Sequence, residues 1–416
     1  MKILEGKIIK FYRELQQLRQ KDLVEGVCST THISKIERGQ TEASGETVEL
    51  ISERLGIDMH EQLKIYAQIE LLLKEWYDSI ILNFTVKAEQ IKKELEAIPL
   101  LYLEEFYRSY MLILTRYYLL AREGDFARSL ILKMDKWTNV SPYEMNMLLH
   151  IKGIYCLHFE HDYYKSITLL KEIDVKVYHN PEYNYDLAVA YHSIKARVSS
   201  YYYANKALQF FKDARCFSRL IDTEMLMLIQ LEQDNFHDPK DDEYKRLLEV
   251  VDNYGLNKQR SLLLHNYGYH QLRRGYYDEA VILYKKAINT KEPNTTGYLG
   301  SLEGYLNALT AQKSTSQQEL IAMALRGHTI AGQIKDTVHV HLFQLHMYKL
   351  QENKQRYLQY LEKKAYPYFL DSGHEFLTEH YSMKLFHYYM EREDMQKANQ
   401  YAKYFMTKTF TDDDFV

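Results

Sequence analysis

The sequence predicts an all-α protein, with a small N-terminal helical domain followed by a long array of helical hairpins. Three observations carry this. Only 6 Pro and 16 Gly occur in 416 residues, so helix breakers are sparse and long helices are favoured. The first 56 residues divide into four short stretches of 3.6-residue apolar periodicity, separated by turn residues. Beyond them, small residues spaced seven apart recur, framed by aromatics. At 416 residues the chain exceeds one compact core. Its 46% hydrophobic and 26% charged content is ordinary for a water-soluble globular protein.

In the N-terminal domain, residues 6–18 place Ile8, Ile9, Phe11, Tyr12, Leu15 and Leu18 on one helical stripe. A second helix runs from about Gln20 to Val27 with Leu23, Val24 and Val27 inward, and Cys28 and Ser29 make the turn. A third, about Thr30 to Glu37, keeps Ile33 and Ile36 inward and turns Thr30, Thr31, His32 and Lys35 outward. Gly39 closes it, where a left-handed residue costs little. A fourth, Glu46–Leu55, is expected to bury Val48, Leu50, Ile51 and Leu55 and to end at Gly56. Residues 58–82 form one continuous amphipathic pattern. It connects the two parts, and either transmits a signal or caps the array with Trp76 and Tyr77.

This N-terminal pattern resembles the helix-turn-helix of the lambda-repressor/Cro superfamily. The residues that carry the resemblance are Arg13, Gln20, Leu23, Ile33-Ser34-Lys35-Ile36-Glu37 and Gly39. The resemblance implies that Arg13 pairs with Glu37, and that Gln20 meets a phosphate of double-stranded DNA at a helix N-terminus. Ser29, Thr30, Thr31, His32 and Lys35 then lie at the DNA surface. A Lys donates to guanine O6 and N7, and a Thr methyl suits thymine. The chain departs from the family at Arg19, at Val24 and in a turn one residue shorter than usual. Residues 1–57 hold nine Lys and Arg against nine Asp and Glu. A neutral reader has little non-specific phosphate attraction, so a homo-oligomer, dimer or tetramer, is expected. The net charge of −4 argues against a chain that coats nucleic acid along its length.

The array is clearest at residues 264–293. Gly268, Ala280 and Ala287 let two antiparallel helices approach closely, with Gly275-Tyr276-Tyr277-Asp278-Glu279 at the turn. This resembles the tetratricopeptide repeat, or TPR. Equivalents of Ala280 are placed at 88, 129, 166, 207, about 244, 280, about 320, about 357 and 398. Their mean spacing of about 39 exceeds the usual 34. About nine hairpins follow, and the resemblance implies a right-handed solenoid with a concave groove lined by the first helix of each hairpin. In the best repeat Asn266, Tyr269 and Arg273 face the groove. An Asn amide there both donates to and accepts from a peptide group. Carrying the frame along the chain adds Tyr118, Arg122, Lys152, Tyr155, His192, Ser193, Gln230, Gln233 and Asn307. Amides, aromatics and cations suit a short peptide with apolar side chains and a carboxylate. Any one of these residues also has a plain reading as a solvated groove position, and most of the 38 Tyr read as packing between hairpins.

Other chemistry finds no support. No phosphate-binding, dinucleotide-binding or nucleophile-elbow motif occurs, so neither an enzyme nor a cofactor is expected. Cys28, Cys156 and Cys216 are widely spaced, which indicates neither disulfides nor zinc. His339, His341 and His346 share a helix without an evident carboxylate, and no metal is expected there or at His158, His161 and Asp162. No stretch reaches a membrane span and no signal peptide is evident, so a cytoplasmic location is expected.

The combination of a Cro-like reader and a long TPR array resembles the RRNPP family, most closely its NprR/PlcR branch. The short turn VCSTTHISKIERG and the number of repeats carry this likeness. The resemblance implies a regulator that binds a short linear signalling peptide in the groove and changes its oligomeric state and DNA binding. The alternatives are an array that binds a response regulator of a phosphorelay, with or without DNA binding, and a plain TPR scaffold. The expected organisation is a reader at 1–58, a connecting helix at 59–82, a peptide-binding array at 83–410 and an acidic tail at 411–416.

Overall fold

The computed structural model describes residues 2–231 and 240–406. Gln233 and the acidic tail lie outside the described residues. The protein is all-α: every regular element among the described residues is helical. The chain divides into two compact units, Met1–Tyr155 with Glu172–His179, and Cys156–Lys171 with Asn180–Val416.

The first unit opens with α1 (Lys2–Leu15), α2 (Gln20–Val24), α3 (Thr30–Glu37) and α4 (Gly45–Leu55). Ile8, Ile9, Leu23, Ile33, Ile36 and Ile51 form their common core. Helix α1 begins four residues before the expected start and stops at Leu15, because Gln17 takes a left-handed φ of 58°. Leu15 is therefore 58% exposed rather than part of the inward stripe. Leu50 is 40% exposed, not buried. It sits two residues from Val48 and so about 200° around the helix, away from the Val48–Ile51–Leu55 face. Helix α2 ends at Val24, ahead of the left-handed Gly26. Helix α3 has the expected bounds. The Ser29 hydroxyl accepts from the His32 backbone N–H at its start, which satisfies one orphan donor. Gly6 lets α1 meet the end of α3: a Cβ there would lie 2.1 Å from the Ile36 carbonyl oxygen.

The unit continues with α5 (Met59–Ile81), α6 (Thr85–Glu96), a 3₁₀ turn at Pro99–Tyr102, α7 (Glu104–Leu120), α8 (Gly124–Met134) and α9 (Pro142–Tyr155). Asp58 caps α5 by accepting from the His60 and Glu61 backbone N–H groups. Helix α5 pairs with α6 and α7, so it is the first helix of the first hairpin. Its Trp76 is fully buried and stacks on Tyr110, centroids 5.9 Å apart. The Tyr77 and Tyr178 hydroxyls share a hydrogen bond.

The second unit begins with a π turn at Cys156–Glu160 and α10 (Tyr163–Lys171). It continues through α11 (Tyr183–Ser193), α12 (Arg197–Asp213), α13 (Phe217–Gln230), α14 (Lys240–Asn253), α15 (Asn257–Arg274) and α16 (Tyr277–Asn289). Then come α17 (Thr296–Gln312), α18 (Gln317–Gln333), α19 (Thr337–Leu350), α20 (Lys354–Tyr360), a second π turn at Leu361–Ala365, α21 (Tyr366–Asp371), α22 (Glu375–Met390) and α23 (Met395–Met406). Consecutive helices pair across short turns, and small residues sit where they cross. Gly304 on α17 lies against the Tyr284 ring of α16, so close that a Cβ would stand 2.3 Å from it.

The turns also set the phase of the repeat. Asn83, Arg122, His161, Lys195, Gly275, Glu352 and Glu393 all have left-handed φ. Each stands five residues before the small, buried position of its second helix, except Glu352, where the position is the partly buried Tyr357. Two expected equivalents are thereby corrected. Ala127, fully buried, takes the place assigned to exposed Ser129. Ser200 takes the place assigned to Ala207, which corresponds instead to Ala287.

Candidate nucleic-acid interface and ligand groove

In the reader, Glu37 gathers three donors. Arg13 Nε donates to one carboxylate oxygen at 2.6 Å, and Arg13 Nη2 and Gln20 Nε2 donate to the other at 2.9 and 2.7 Å. This ties α1 and the start of α2 to the end of α3. The Arg13–Glu37 pair expected from the resemblance is present, and the Gln20 amide nitrogen is turned inward onto it. Thr30, Thr31 and Lys35 are exposed on α3, and among the described residues none has a side-chain hydrogen bond or ion pair. His32 is half-buried.

Sequence reasoning missed Arg38. Exposed just beyond α3, it folds back so that Nη2 donates to the Ser34 hydroxyl at 2.6 Å and Nε to the Ser34 carbonyl at 3.0 Å. The neutral count of the domain conceals this arrangement. Glu37 is spent internally on Arg13, so the outer face of α3 presents Lys35 and Arg38 with no exposed carboxylate of its own. Anionic backbone would meet a locally cationic helix.

Within the second unit, the first helices of successive hairpins are linked by their polar side chains. His192 on α11 receives a hydrogen bond from Gln230 of α13, 2.9 Å from Nε2 to Nδ1. Gln230 is buried and also bonds the Leu226 carbonyl, so it is committed to structure. Asn266 on α15 faces α13, its amide nitrogen 3.0 Å from the Met225 sulfur. A thioether is a weak acceptor, so most of the Asn266 amide capacity is unspent. Tyr269 and Arg273 are exposed, with no hydrogen-bond or ion-pair partner among the described residues. Asn307 on α17 donates to Glu303 at 2.7 Å, and Glu303 also pairs with His346 of α19 at 2.9 Å.

The unit also closes on itself. Lys195, just after α11, pairs with Glu379 of α22 and sits 4.9 Å from the Phe376 ring centroid. His192 packs on Phe376, and His161 on His374. The side chains that share the space between these helices feel one another. Burial, with the charge of Lys291, pushes the His265 imidazole down to about 4. Burial, with the charge of Lys384, does the same to His380. The Glu303 charge opposes both shifts. Burial raises the Glu303 carboxyl itself, but the hydrogen bond and charge of His346 outweigh it and hold it below the usual carboxylate range. His380 and Lys384 retain exposed area and are still desolvated.

The structure thus gathers His192, Gln230, Asn266, Tyr269, Arg273 and Asn307 in one unit, while Tyr118, Arg122, Lys152 and Tyr155 belong to the other. Arg122 is not on a first helix at all. It occupies the left-handed turn position equivalent to Gly275. Tyr118 stacks on Phe126 and Lys152 pairs with Asp135. The reading of His339 and His346 as lacking carboxylates is also corrected. His339 pairs with Asp336, the cap of its own helix, at 2.9 Å, and His346 with Glu303. Sequence reasoning missed the interacting set of Glu303, His265, His380 and Lys384. The repeat frame alone could have found Glu303, one helical turn before Asn307.

Comparison with known proteins agrees with this architecture. Residues 9–62 match the helix-turn-helix family model. No curated protein matches the sequence. Among solved structures, the apo form of the quorum sensor NprR from B. thuringiensis is 18% identical, covering 82% of this chain and 98% of that one, with a TM-score of 0.63. NprR in complex with its cognate peptide NprX is 18% identical, covering 82% and 100%, with a TM-score of 0.66. A Rap protein complexed with competence and sporulation factor is 16% identical, covering 82% and 97%, with a TM-score of 0.68. The chain therefore combines a helix-turn-helix domain with helical hairpins in the fold seen in these NprR and Rap structures.

Proposed function

We propose that this chain is a cytoplasmic, peptide-responsive transcription regulator. It reads double-stranded operator DNA with α3, and its DNA binding is set by a short linear peptide held in the groove of the second unit. The observation that carries the reading is the pairing of two unspent surfaces in one chain. Thr30, Thr31 and Lys35 stand free on α3, and on α15 Tyr269 and Arg273 are exposed while Asn266 spends its amide only on the Met225 sulfur. A peptide-bound NprR and a factor-bound Rap protein share the fold of the array, which supports a peptide as the ligand. As one copy of a nearly neutral reader binds weakly, the peptide acts by changing how copies associate.

Sedimentation of the full chain with a pool of synthetic heptapeptides, with and without operator fragments selected from random duplexes, tests this. The expected result is a peptide-dependent change in oligomer size and in DNA occupancy. Asn266→Ala abolishes the peptide response without changing the melting temperature by more than a few degrees. Thr31→Ala with Lys35→Ala removes sequence-specific DNA binding. Unaltered peptide response in the first variant rejects the groove assignment, and retained specificity in the second rejects α3 as the reading helix.

A further inference from the structure

Between α19, α20 and α22 lies an open cavity of about 360 Å³. Leu358, Leu361 and Tyr357 form its apolar lining, and Lys349 and Lys384 bring ammonium groups to it. Glu352 and Lys354, at the turn between α19 and α20, line it too. Neither Lys349 nor Lys384 has a carboxylate within ion-pair reach among the described residues. Lys384 instead lies 5.2 Å from the Tyr381 ring centroid. Its position makes this unusual. Lys349 lies in the last turn of α19, where the carbonyl ends of the helix favour a cation. Lys384 stands mid-way along α22 and has no such compensation. Burial and the Lys349 charge together push the Lys384 ammonium below its ordinary value. Lys349, Lys354 and Lys384 outnumber Glu352, the one carboxylate of the lining, so the cavity carries a surplus of positive charge that an incoming anion would balance.

The cavity is continuous in charge with the groove. Lys384 is one turn from His380, and the Glu303 charge acts on both. Its size suits one residue of a ligand rather than a second macromolecule. We propose that this cavity is a carboxylate subsite of the peptide groove: Lys349 and Lys384 clamp a carboxylate of the ligand while its apolar portion rests on Leu358, Leu361 and Tyr357. The carboxylate is either the C-terminal group or an Asp or Glu side chain. The subsite rests on the groove being a peptide site and adds the ligand's charge and one of its anchors.

The test uses the full chain and two random heptapeptide pools, one with free C-termini and one amidated, with captured peptides identified by mass spectrometry. Wild type is expected to enrich peptides carrying a carboxylate. If the C-terminal group is the anchor, the amidated pool is depleted. If a side chain is, both pools enrich for Asp or Glu. The leading peptide is then titrated against wild type, Lys349→Gln/Lys384→Gln and Lys349→Arg/Lys384→Arg. The Gln pair should weaken binding about tenfold or more, the scale of a charge-assisted hydrogen bond, and the Arg pair should restore most of it. The peptide without its carboxylate should bind wild type and the Gln pair alike. Capture with no carboxylate preference, or equal affinity of wild type and the Gln pair, overturns the subsite and leaves the peptide groove standing. Capture of no peptide by wild type overturns both. Should the Gln pair fail to fold, the pool comparison on wild type decides the matter alone.

Discussion

Replacing Glu37 by Gln should loosen the reader far more than its small change in shape suggests. The Glu37 side chain is 3% exposed and that of Arg13 12%. The carboxylate takes both forks of the guanidinium and the Gln20 amide. A Gln keeps one acceptor and presents an N–H group to a cation that can only donate. Removing one partner of a buried pair costs about 3–5 kcal/mol, chiefly because the other charge is left uncompensated. Arg13 retains the Leu18 carbonyl at 3.0 Å and exposed Glu14 at 3.2 Å, which places the loss near the lower end, about 3 kcal/mol. A domain of this length holds roughly 3–9 kcal/mol in total, so the loss is a third of its stability or all of it. Hydrogen exchange across α1–α3 in the full chain reads this directly, as protection lost at Leu23, Ile33 and Ile36 while the second unit is unchanged. Arg13→Met combined with Glu37→Met should recover most of the stability, since two apolar side chains can fill a buried pair's space without the desolvation cost. Protection in Glu37→Gln within about 1 kcal/mol of wild type would refute the argument that the pair is closed to solvent.

Four further outcomes follow from the geometry. Gly304→Ala drives a methyl into the buried Tyr284 ring and should lower stability by about 1–3 kcal/mol, seen as a fall in melting temperature. An unchanged melt would mean that α16 and α17 separate freely. Gly6→Ala meets a backbone carbonyl rather than a movable side chain, so DNA binding should fall while the array's melt is retained; wild-type DNA affinity would show that α1 does not hold α3. The His265 imidazole, held near 4 mainly by burial, stays neutral in the folded state while the unfolded chain takes up a proton below about 6.5. Stability should therefore fall as pH drops from about 6.5 towards 4, by up to about 3 kcal/mol from this group. His265→Gln should flatten that part of the melting-temperature profile, and an identical slope in wild type and variant would reject the assignment. Arg38→Ala should weaken DNA binding evenly across sequences and reduce the salt slope by about one, whereas Lys35→Ala should relax preference at one base pair. A change of base preference in Arg38→Ala would reverse these roles.

The parts of the fold that were legible in the sequence are those set by local chemistry. Helix α3 could be bounded to the residue because Ser29 caps one end and the left-handed Gly39 follows the other. Helix α5 was equally plain, with Asp58 at its start. The phase of the array was less plain because its turn marker is disguised. The left-handed residue is Gly275 in the clearest repeat but Arg122, His161, Lys195, Glu352 and Glu393 in others. A side chain at positive φ leaves no compositional trace. The small position can likewise be Ser200 as well as Ala, so an alanine count slid one hairpin by seven residues. The two π turns each shift the later residues of their hairpin against a regular frame.

The groove chemistry was hidden for a different reason. The partner of His346 is Glu303, 43 residues earlier on the preceding first helix, a distance longer than one repeat. No local pattern joins them, and only the lateral packing of α17 on α19 does. The same packing makes the surplus of cations visible. Read along the chain, Lys349 and Lys384 are two ordinary lysines among many. Read across the helices, they line one cavity with Lys354, where Glu352 is the single acid against three lysines. Charges that balance along the sequence do not balance in the groove, and that local imbalance is what a ligand carboxylate would correct.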